Sequence, residues 1–250
     1  MKLNKVWLQI IAALAMTLDH ITWVIFPGYS TEILPLIFHI LGRIAFPIFA
    51  FFIAEGYFYT RNKTKYIIRI LIFSLISHVP YMLASITFQK YGWLSLIPFA
   101  TGNGIERFLN QGSVLFSYFV GLLMLVVNDS KKLKSYQKAL IVVGLCILSF
   151  PCDWSCIGSL VVLSIGSNRN QPVKQIIWSL IWVFIYGLVY FISLDKLYGL
   201  IQIGVVLAIP LLMLYNGKKS NNAVINKIMK WFLYLYYPLH LLVLGLINLL

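Results

Sequence analysis

Charge is scarce in this chain of 250 residues. Charged side chains make up 11% of it, against about 25% in an average soluble domain. Acids are scarcest, seven Asp and Glu against twenty Lys and Arg. The composition is 60% hydrophobic and the mean hydropathy is +0.87. A soluble domain of this length has too little interior to hide so much apolar surface. An ordinary soluble enzyme and a disordered chain are therefore excluded. The three cysteines, Cys146, Cys152 and Cys156, are too few for a disulfide scaffold. Cys152 and Cys156 read either as one disulfide or as two small apolar residues. There is also no Walker A motif, no nucleotide-type glycine-rich loop and no serine nucleophile elbow. No nucleic-acid-binding signature accompanies the net charge of +13, so no nucleic acid partner is expected. The intramembrane histidines are well separated and carboxylates are few, so no metal is predicted.

What is present is a series of apolar segments, at 6–26, 33–57, 66–88, 114–127, 139–150, 156–166, 175–194, 197–215 and 230–250. At about 20 residues per span, this predicts an all-α, polytopic integral membrane protein with about nine transmembrane helices. The fifth and sixth segments are short and read either as spans or as one re-entrant hairpin. Basic residues gather in alternate loops: Lys2 and Lys5, then Arg61 to Arg69, Lys131 to Lys138, Arg169 and Lys174, and Lys218 to Lys230. Positive charge collects on the cytoplasmic side. The alternation predicts a multi-pass protein with a cytoplasmic N-terminus and an outer C-terminus. The first segment lacks a small-residue cleavage site and reads as a retained helix. The link 89–112 should lie outside, partly folded, and 216–229 should be a cytoplasmic loop. No repeat and no second domain is visible, so 1–250 is a single domain.

Ionisable side chains inside a span are costly and few, so each can be weighed. Asp19 and His20 are neighbours in the first span and point about 100° apart. Asp19 should therefore pair across helices, with Arg43 as the best candidate, leaving His20 free. His39 and Arg43 share a helix face. A guanidinium at that depth needs an anion, either Asp19 or a ligand group. Gly42 permits close helix approach and Pro47 allows a kink. Glu55 lies at the inner end of the span, either pairing with Arg61 or marking the mouth of a cytosolic ligand site. Ser74, Ser77, His78, Tyr81 and Ser85 form a polar stripe, with Pro80 to bend it. His240 sits mid-span in the last segment, and Asp153 lies in a short outer turn beside Trp154.

The run Gly42-Arg43-Ile44-Ala45-Phe46-Pro47-Ile48-Phe49-Ala50-Phe51, with Glu55-Gly56-Tyr57, Thr60-Arg61-Asn62 and Lys65-Tyr66, resembles the TraX family. Leu18-Asp19-His20-Ile21 and Tyr237-Pro238-Leu239-His240-Leu241 resemble two further elements of that family. Asp153-Trp154 with Gly158 is similar to a third. The sequence departs from the family pattern at His78, where glutamate is usual, and around Ser113 to Ser117. The name-giving member acetylates the N-terminus of conjugative pilin. The resemblance thus implies acyl transfer in a bacterial plasma (inner) membrane, with acetyl-CoA as the cytosolic co-substrate.

In that reading Arg61, Asn62, Lys63, Lys65, Arg69 and Glu55 would form the acetyl-CoA site, the basic groups taking its phosphates. His20 would be the general base or an acetyl-carrying nucleophile. Asp19 and Arg43 would orient the cavity and polarise the carbonyl, and His240 would be a second acid-base or oxyanion group. The acceptor, an exported peptide such as pilin or an envelope glycan, would arrive at the outer face near His78, Asp153 and the 89–112 link. The same intramembrane Asp, His and Arg would also suit a proton-coupled transporter or flippase, or a membrane scaffold for envelope assembly.

Overall fold

The computed structural model describes residues 2–249, and every side chain among them but that of Glu106. Among the described residues the regular structure is helical, and β pairing is limited to two isolated bridges, Leu3–Tyr215 and Gly112–Cys152. The helices are α1 (Lys5–Ile25), α2 (Ile33–Gly42), α3 (Ala45–Tyr59), α4 (Lys63–Ile76), α5 (His78–Ala84), α6 (Ile86–Tyr91), α7 (Val114–Asp129), α8 (Ser135–Ser149), α9 (Ser155–Ser167), α10 (Pro172–Ser193), α11 (Lys196–Ile201), α12 (Ala208–Met213) and α13 (Ala223–Ile247). Short 3₁₀ turns cover Gly92–Leu96, Gly104–Phe108 and Gln202–Leu207.

Several of these helices are halves of one span, and proline is the reason. Proline cannot donate to the carbonyl four residues back, and its ring crowds that carbonyl. Pro47 faces the Arg43 carbonyl, where α2 passes into α3. Pro80 stands in the same relation to Ile76, where α4 passes into α5. Pro210 does so to Val206, within the 3₁₀ turn before α12. Joined across their breaks, six helical stretches are long and apolar enough to cross a membrane: Lys5–Ile25, Ile33–Tyr59, Lys63–Ala84, Pro172–Ser193, Lys196–Met213 and Ala223–Ile247. The protein is therefore a multi-pass membrane protein. The remaining apolar helices, α7, α8 and α9, have 16, 15 and 13 residues. At 1.5 Å per residue even the longest is about 24 Å, short of a core of about 30 Å. The nine apolar segments of the sequence thus appear as six full-length stretches and three short ones.

Contacts divide the molecule into two ends. At one end Leu3 pairs with Tyr215, the Lys5 amide donates to the Lys218 carbonyl, Lys63 meets Asp129 and Arg169 meets Glu55. This is the basic end. At the opposite end Gly112 pairs with Cys152, Asn110 donates to Tyr190, Tyr198 to Ser30, and Gln89 to Asn248. The described termini thus lie at opposite ends, and α7, α8 and α9 each connect the two. The boundary that departs furthest from expectation is the start of the last helix. The last helix begins at Ala223, inside the expected loop, because the Asn222 side chain accepts from the amides of Val224 and Ile225 at 2.9 and 3.1 Å.

The core lies between α3, α7, α9 and α10, where small residues permit close packing. A Cβ on Gly121 would lie 2.7 Å from the Val162 side chain, and one on Gly158 2.9 Å from Ser117. Small residues at helix contacts are the usual device where lipid supplies no hydrophobic drive. Ser159 and Ser117 add buried bonds to carbonyls of the facing segments, Ser159 to Ser117 at 2.7 Å and Ser117 to Asp153 at 3.1 Å.

Candidate functional site

A cavity of about 380 Å³ lies towards the non-basic end, between α1, α2, α3, α5, α10 and α11. Asp19, His20, His39 and Arg43 all line it, with Asp153 and Trp154 from the turn between α8 and α9. The expected pairing of Asp19 with Arg43 forms. Arg43 Nη2 donates to both carboxylate oxygens, at 2.6 and 2.5 Å. Gly42 makes this possible, since a Cβ there would overlap the Asp19 side chain. Arg43 sits where α2 passes into α3, four residues before Pro47. Its Nε donates to the His39 carbonyl at 3.3 Å and its Nη1 to Gln202 Oε1 at 3.4 Å. Its guanidinium carbon lies 5.5 Å from the Trp154 ring centre.

The same carboxylate accepts a bond of 2.8 Å from His39 Nδ1. A carboxylate can only accept, so His39 carries its proton on Nδ1. His39 is fully buried, against Trp23 and Tyr198, and its Nε2 has no partner among the described residues. An unpaired nitrogen at that depth is an uncommon and costly feature.

His20 and His240 form a second unit. His240 Nδ1 lies 2.8 Å from the Tyr236 carbonyl, which can only accept, so this nitrogen bears the proton. For neutral rings, His240 Nε2 is then an acceptor, and His20 Nδ1 donates to it across 2.9 Å. The chain of bonds leaves His20 with its lone pair on Nε2, in a ring that lines the cavity. His240 itself does not line the cavity and stands behind His20.

Asp153 lines the cavity from the turn. Burial pushes its carboxyl up to about 6, against the opposing pull of Arg43. Trp154 adopts a left-handed backbone (φ 61°), as does Ser155 (φ 48°). For bulky non-glycine residues this is strained, and such strain concentrates at functional sites. It brings the indole flat onto Phe46, with centroids 3.8 Å apart and planes 4° apart.

The other expected residues lie elsewhere. His78 meets the backbone of Leu96 and does not line the cavity. Ser74 and Ser77 of the polar stripe bond carbonyls of their own helix, Leu71 and Phe73, whereas Tyr81 and Ser85 line the cavity. Asn62 caps α4, accepting from the Lys65 amide at 2.8 Å. Lys63 pairs with Asp129 at 3.2 Å, and Arg69 lies over Trp231 and Tyr234. Arg61 and Lys65 are exposed. Of the six residues expected to form a cytosolic site, Glu55 alone lines a second cavity, at the basic end. Its partner is Arg169, at 3.4 Å, and not Arg61. The cysteines are free, and the neighbour of Cys156 is Cys146 and not Cys152. Among the described residues no group of three or more His, Cys, Asp and Glu could hold a metal.

Sequence reasoning missed Gln202, Trp154 as an aromatic wall, and the bond from His39 to Asp19. Gln202 carries a legible signal, a lone amide in an apolar span. The other two are tertiary contacts with no local signature.

Among known proteins, the TraX protein family matches residues 5–248. A curated relative from Dichelobacter nodosus, named probable fimbrial assembly protein FimC, serogroup H1, is 26% identical over 239 residues. The match covers 94% of this chain and 91% of that protein. No solved structure matches the chain.

Proposed function

This chain belongs to the TraX family, and we propose that it is an acyltransferase moving an acetyl group from cytosolic acetyl-CoA to an acceptor at the outer membrane face. The observation that carries the reading is the His20–His240 pair. Its bonds fix the lone pair on His20 Nε2, in a cavity that also holds the Asp19–Arg43 ion pair. A base held in one tautomer beside a charged donor is what acyl transfer requires.

The acceptor presents a neutral amine or a hydroxyl. His20 Nε2 takes its proton as the nitrogen or oxygen attacks the thioester carbonyl carbon. His240 steadies the imidazolium through Nδ1 of His20. Arg43 faces the oxygen on which negative charge develops, since its Nη1 is held only by the long bond to Gln202. The C–S bond then breaks, and His20 returns the proton to the thiolate. The products are the acetylated acceptor and the free thiol. Asp19 holds Arg43 in place, and His39, bonded to the same carboxylate, fixes the rotamer of both.

The basic end would face the cytosol by the positive-inside rule. In this orientation the reacting cavity lies nearer the outer face of a bacterial inner membrane, with the 89–112 link above it. The FimC relative's name favours a fimbrial or pilin-type peptide as acceptor over an envelope glycan.

The test uses purified protein in nanodiscs, acetyl-labelled acetyl-CoA and a peptide matching an exported pilin N-terminus. Thiol release coupled to peptide labelling, reduced about 10²–10⁴-fold by His20→Ala, is the expected result. Full transfer by folded His20→Ala would overturn the mechanism. No thiol release by folded wild type would return the protein to transport or scaffold roles.

A further inference from the structure

The second cavity, about 340 Å³, opens at the basic end and runs inward between α3, α9, α10 and α12. Its lining is apolar except for a few polar groups, among them Glu55, Asn170 and Gln175. Ser179 contributes a hydroxyl that has no partner among the described residues. A helical serine ordinarily satisfies itself on the carbonyl one turn back, as Ser74 and Ser77 do. The Ser179 hydroxyl is thus left over for something that enters the cavity.

The mouth is charged. Arg169 meets Glu55 and lies over the rings of Phe58 and Tyr59, at 4.8 and 4.9 Å. Its Nε makes no well-formed hydrogen bond. Lys5 has Lys219 and Glu55 as its electrostatic neighbours. Three cations against one carboxylate leave an excess of positive charge where the cavity meets water. An anion at the mouth would compete with Glu55 for Arg169.

At its inner end the cavity reaches Phe46, which also lines the cavity that holds His20. The buried Phe46 ring, flat against Trp154, is thus a wall common to both cavities. It stands in the first turn of α3, immediately before Pro47. The amides of such a turn have no intrahelical acceptor, and Pro47 has no amide at all.

We propose that the basic-end cavity holds the linear arm of an acyl-thioester donor, its diphosphate on Arg169, Lys5 and Lys219, and that the Phe46 ring is the gate through which the acyl group reaches His20. The proposal rests on the acyl-transfer reading and adds to it the donor's path. An amide-bearing chain about one methylene wide suits a narrow, mostly apolar channel with a few polar groups. Ser179 is placed to bond one of its amides. The phosphates remain at the charged mouth. The gate keeps the two cavities separate until the arm is seated, which prevents water on the acceptor side from hydrolysing the thioester.

The experiment measures CoA binding and acetyl transfer on purified protein in nanodiscs. Ser179→Trp fills the cavity and Arg169→Glu reverses a mouth charge, and each is expected to weaken CoA binding at least tenfold. Phe46→Trp is expected to transfer at least tenfold more slowly. Phe46→Ala is expected to raise acceptor-independent hydrolysis of acetyl-CoA several-fold. To guard against misfolding, Ser179→Cys is alkylated after purification, with the native chain alkylated alike as control. CoA should protect that cysteine, and alkylation should abolish binding. If wild type binds CoA but alkylated Ser179→Cys binds equally well, the proposed path is overturned while acyl transfer from CoA stands. If Phe46→Trp and Phe46→Ala both behave as wild type, the gate is overturned. If folded wild type binds no CoA, both the donor reading and this path fail.

Discussion

Arg43 and Asp19 allow a test of how the site is held together, because each is buried and each is the other's main counter-charge. Arg43→Met keeps the length of the side chain and removes its charge. Asp19 is then a buried carboxylate whose remaining bond is to His39. Breaking one side of a buried pair costs about 3–5 kcal/mol, chiefly because the other charge is stranded. In a chain of this size 1 kcal/mol moves Tm by about 2–4 °C, so the expected drop is about 6–20 °C. Asp19→Asn alone strands Arg43 and should cost a similar amount. The informative protein is the double variant, Asp19→Asn with Arg43→Met. Its asparagine oxygen still accepts from His39 Nδ1, no charge is left unpaired, and Gly42 still has room beside it. Stability should recover by at least half of the single-variant loss, while the proposed acetyl transfer should stay absent, because the cation proposed to polarise the carbonyl is gone. The assay is thermal unfolding in one detergent, followed by intrinsic fluorescence, with transfer measured on the same preparations. Single variants within about 1 kcal/mol of wild type, or a double variant no more stable than either single, would refute the argument that these charges are desolvated and mutually compensating.

The two histidines should separate in kinetics. His20→Ala should lower transfer about 10²–10⁴-fold, whereas His240→Ala, which removes a group behind the base, should lower kcat less and leave KM near wild type. Equal losses would mean that His240 itself contacts substrate. Gly42→Ala should drive a methyl into Asp19 and cost about 1–3 kcal/mol, read as a fall in Tm, with no comparable effect from Gly144→Ala, where a Cβ meets nothing within 4 Å. Asp153 should make stability depend on pH. Its carboxyl is raised in the fold from 3.8 to about 6, so the folded state holds the proton more tightly than the unfolded state. Its contribution is therefore full below about pH 4 and lost as pH rises through 6. At about 1.4 kcal/mol for each pH unit between those two values, the whole effect is about 3 kcal/mol. The Tm of Asp153→Asn should match wild type near pH 4 and exceed it by several degrees above pH 6.5. A difference independent of pH would show that this carboxyl is not perturbed.

Much of this architecture is legible in the sequence because bilayer physics is coarse. A span needs only apolar composition over about 20 residues, so segment positions survive errors in detail. The basic loops gather at one end in line with the positive-inside bias, which acts on loops whatever the tertiary fold. Asp19–Arg43 is legible for a related reason: a buried carboxylate must find a cation, and few are within reach. The cavity at the basic end is less legible, because local density of charge does not say where side chains point. The block from Arg61 to Arg69 is the densest in basic residues near the second segment. Yet Lys63 is occupied by Asp129 and Arg69 by aromatic rings. The group that meets Glu55 is Arg169, from the far end of α9, which only the α3–α9 packing brings near. The left-handed backbone of Trp154 has no sequence signature either, since glycine or asparagine would be the expected occupant of such a turn.

The proline breaks explain why the polar groups converge where they do. Arg43 and Gln202 belong to separate spans, and each stands at a place where regular helical bonding is given up shortly before a proline. At such a place carbonyls lose their helical donors, and in lipid they must be satisfied by something else. Here side chains add donors to backbone carbonyls of their own helices: Arg43 Nε goes to the His39 carbonyl, which also keeps its helical bond from the Arg43 amide, and Gln202 Nε2 goes to the Tyr198 carbonyl at 3.1 Å. The two then bond each other across the interface, where Gly204 lets the chains approach so closely that a Cβ would lie 2.7 Å from the Ile40 carbonyl. Weakening two helices at the same depth therefore creates both the demand for polar side chains and the space that holds them. A membrane protein gains in this way a charged, hydrogen-bonded wall in an apolar body without placing an unpaired ion there. Among the described residues that line the cavity, His39 Nε2, Tyr237 Oη and Thr101 Oγ1 are left outside that compensation without a partner, and the bonds of His20 leave its lone pair on Nε2. Groups that folding leaves unsatisfied, beside groups it has fixed in place, are where binding energy can be directed to a reacting centre.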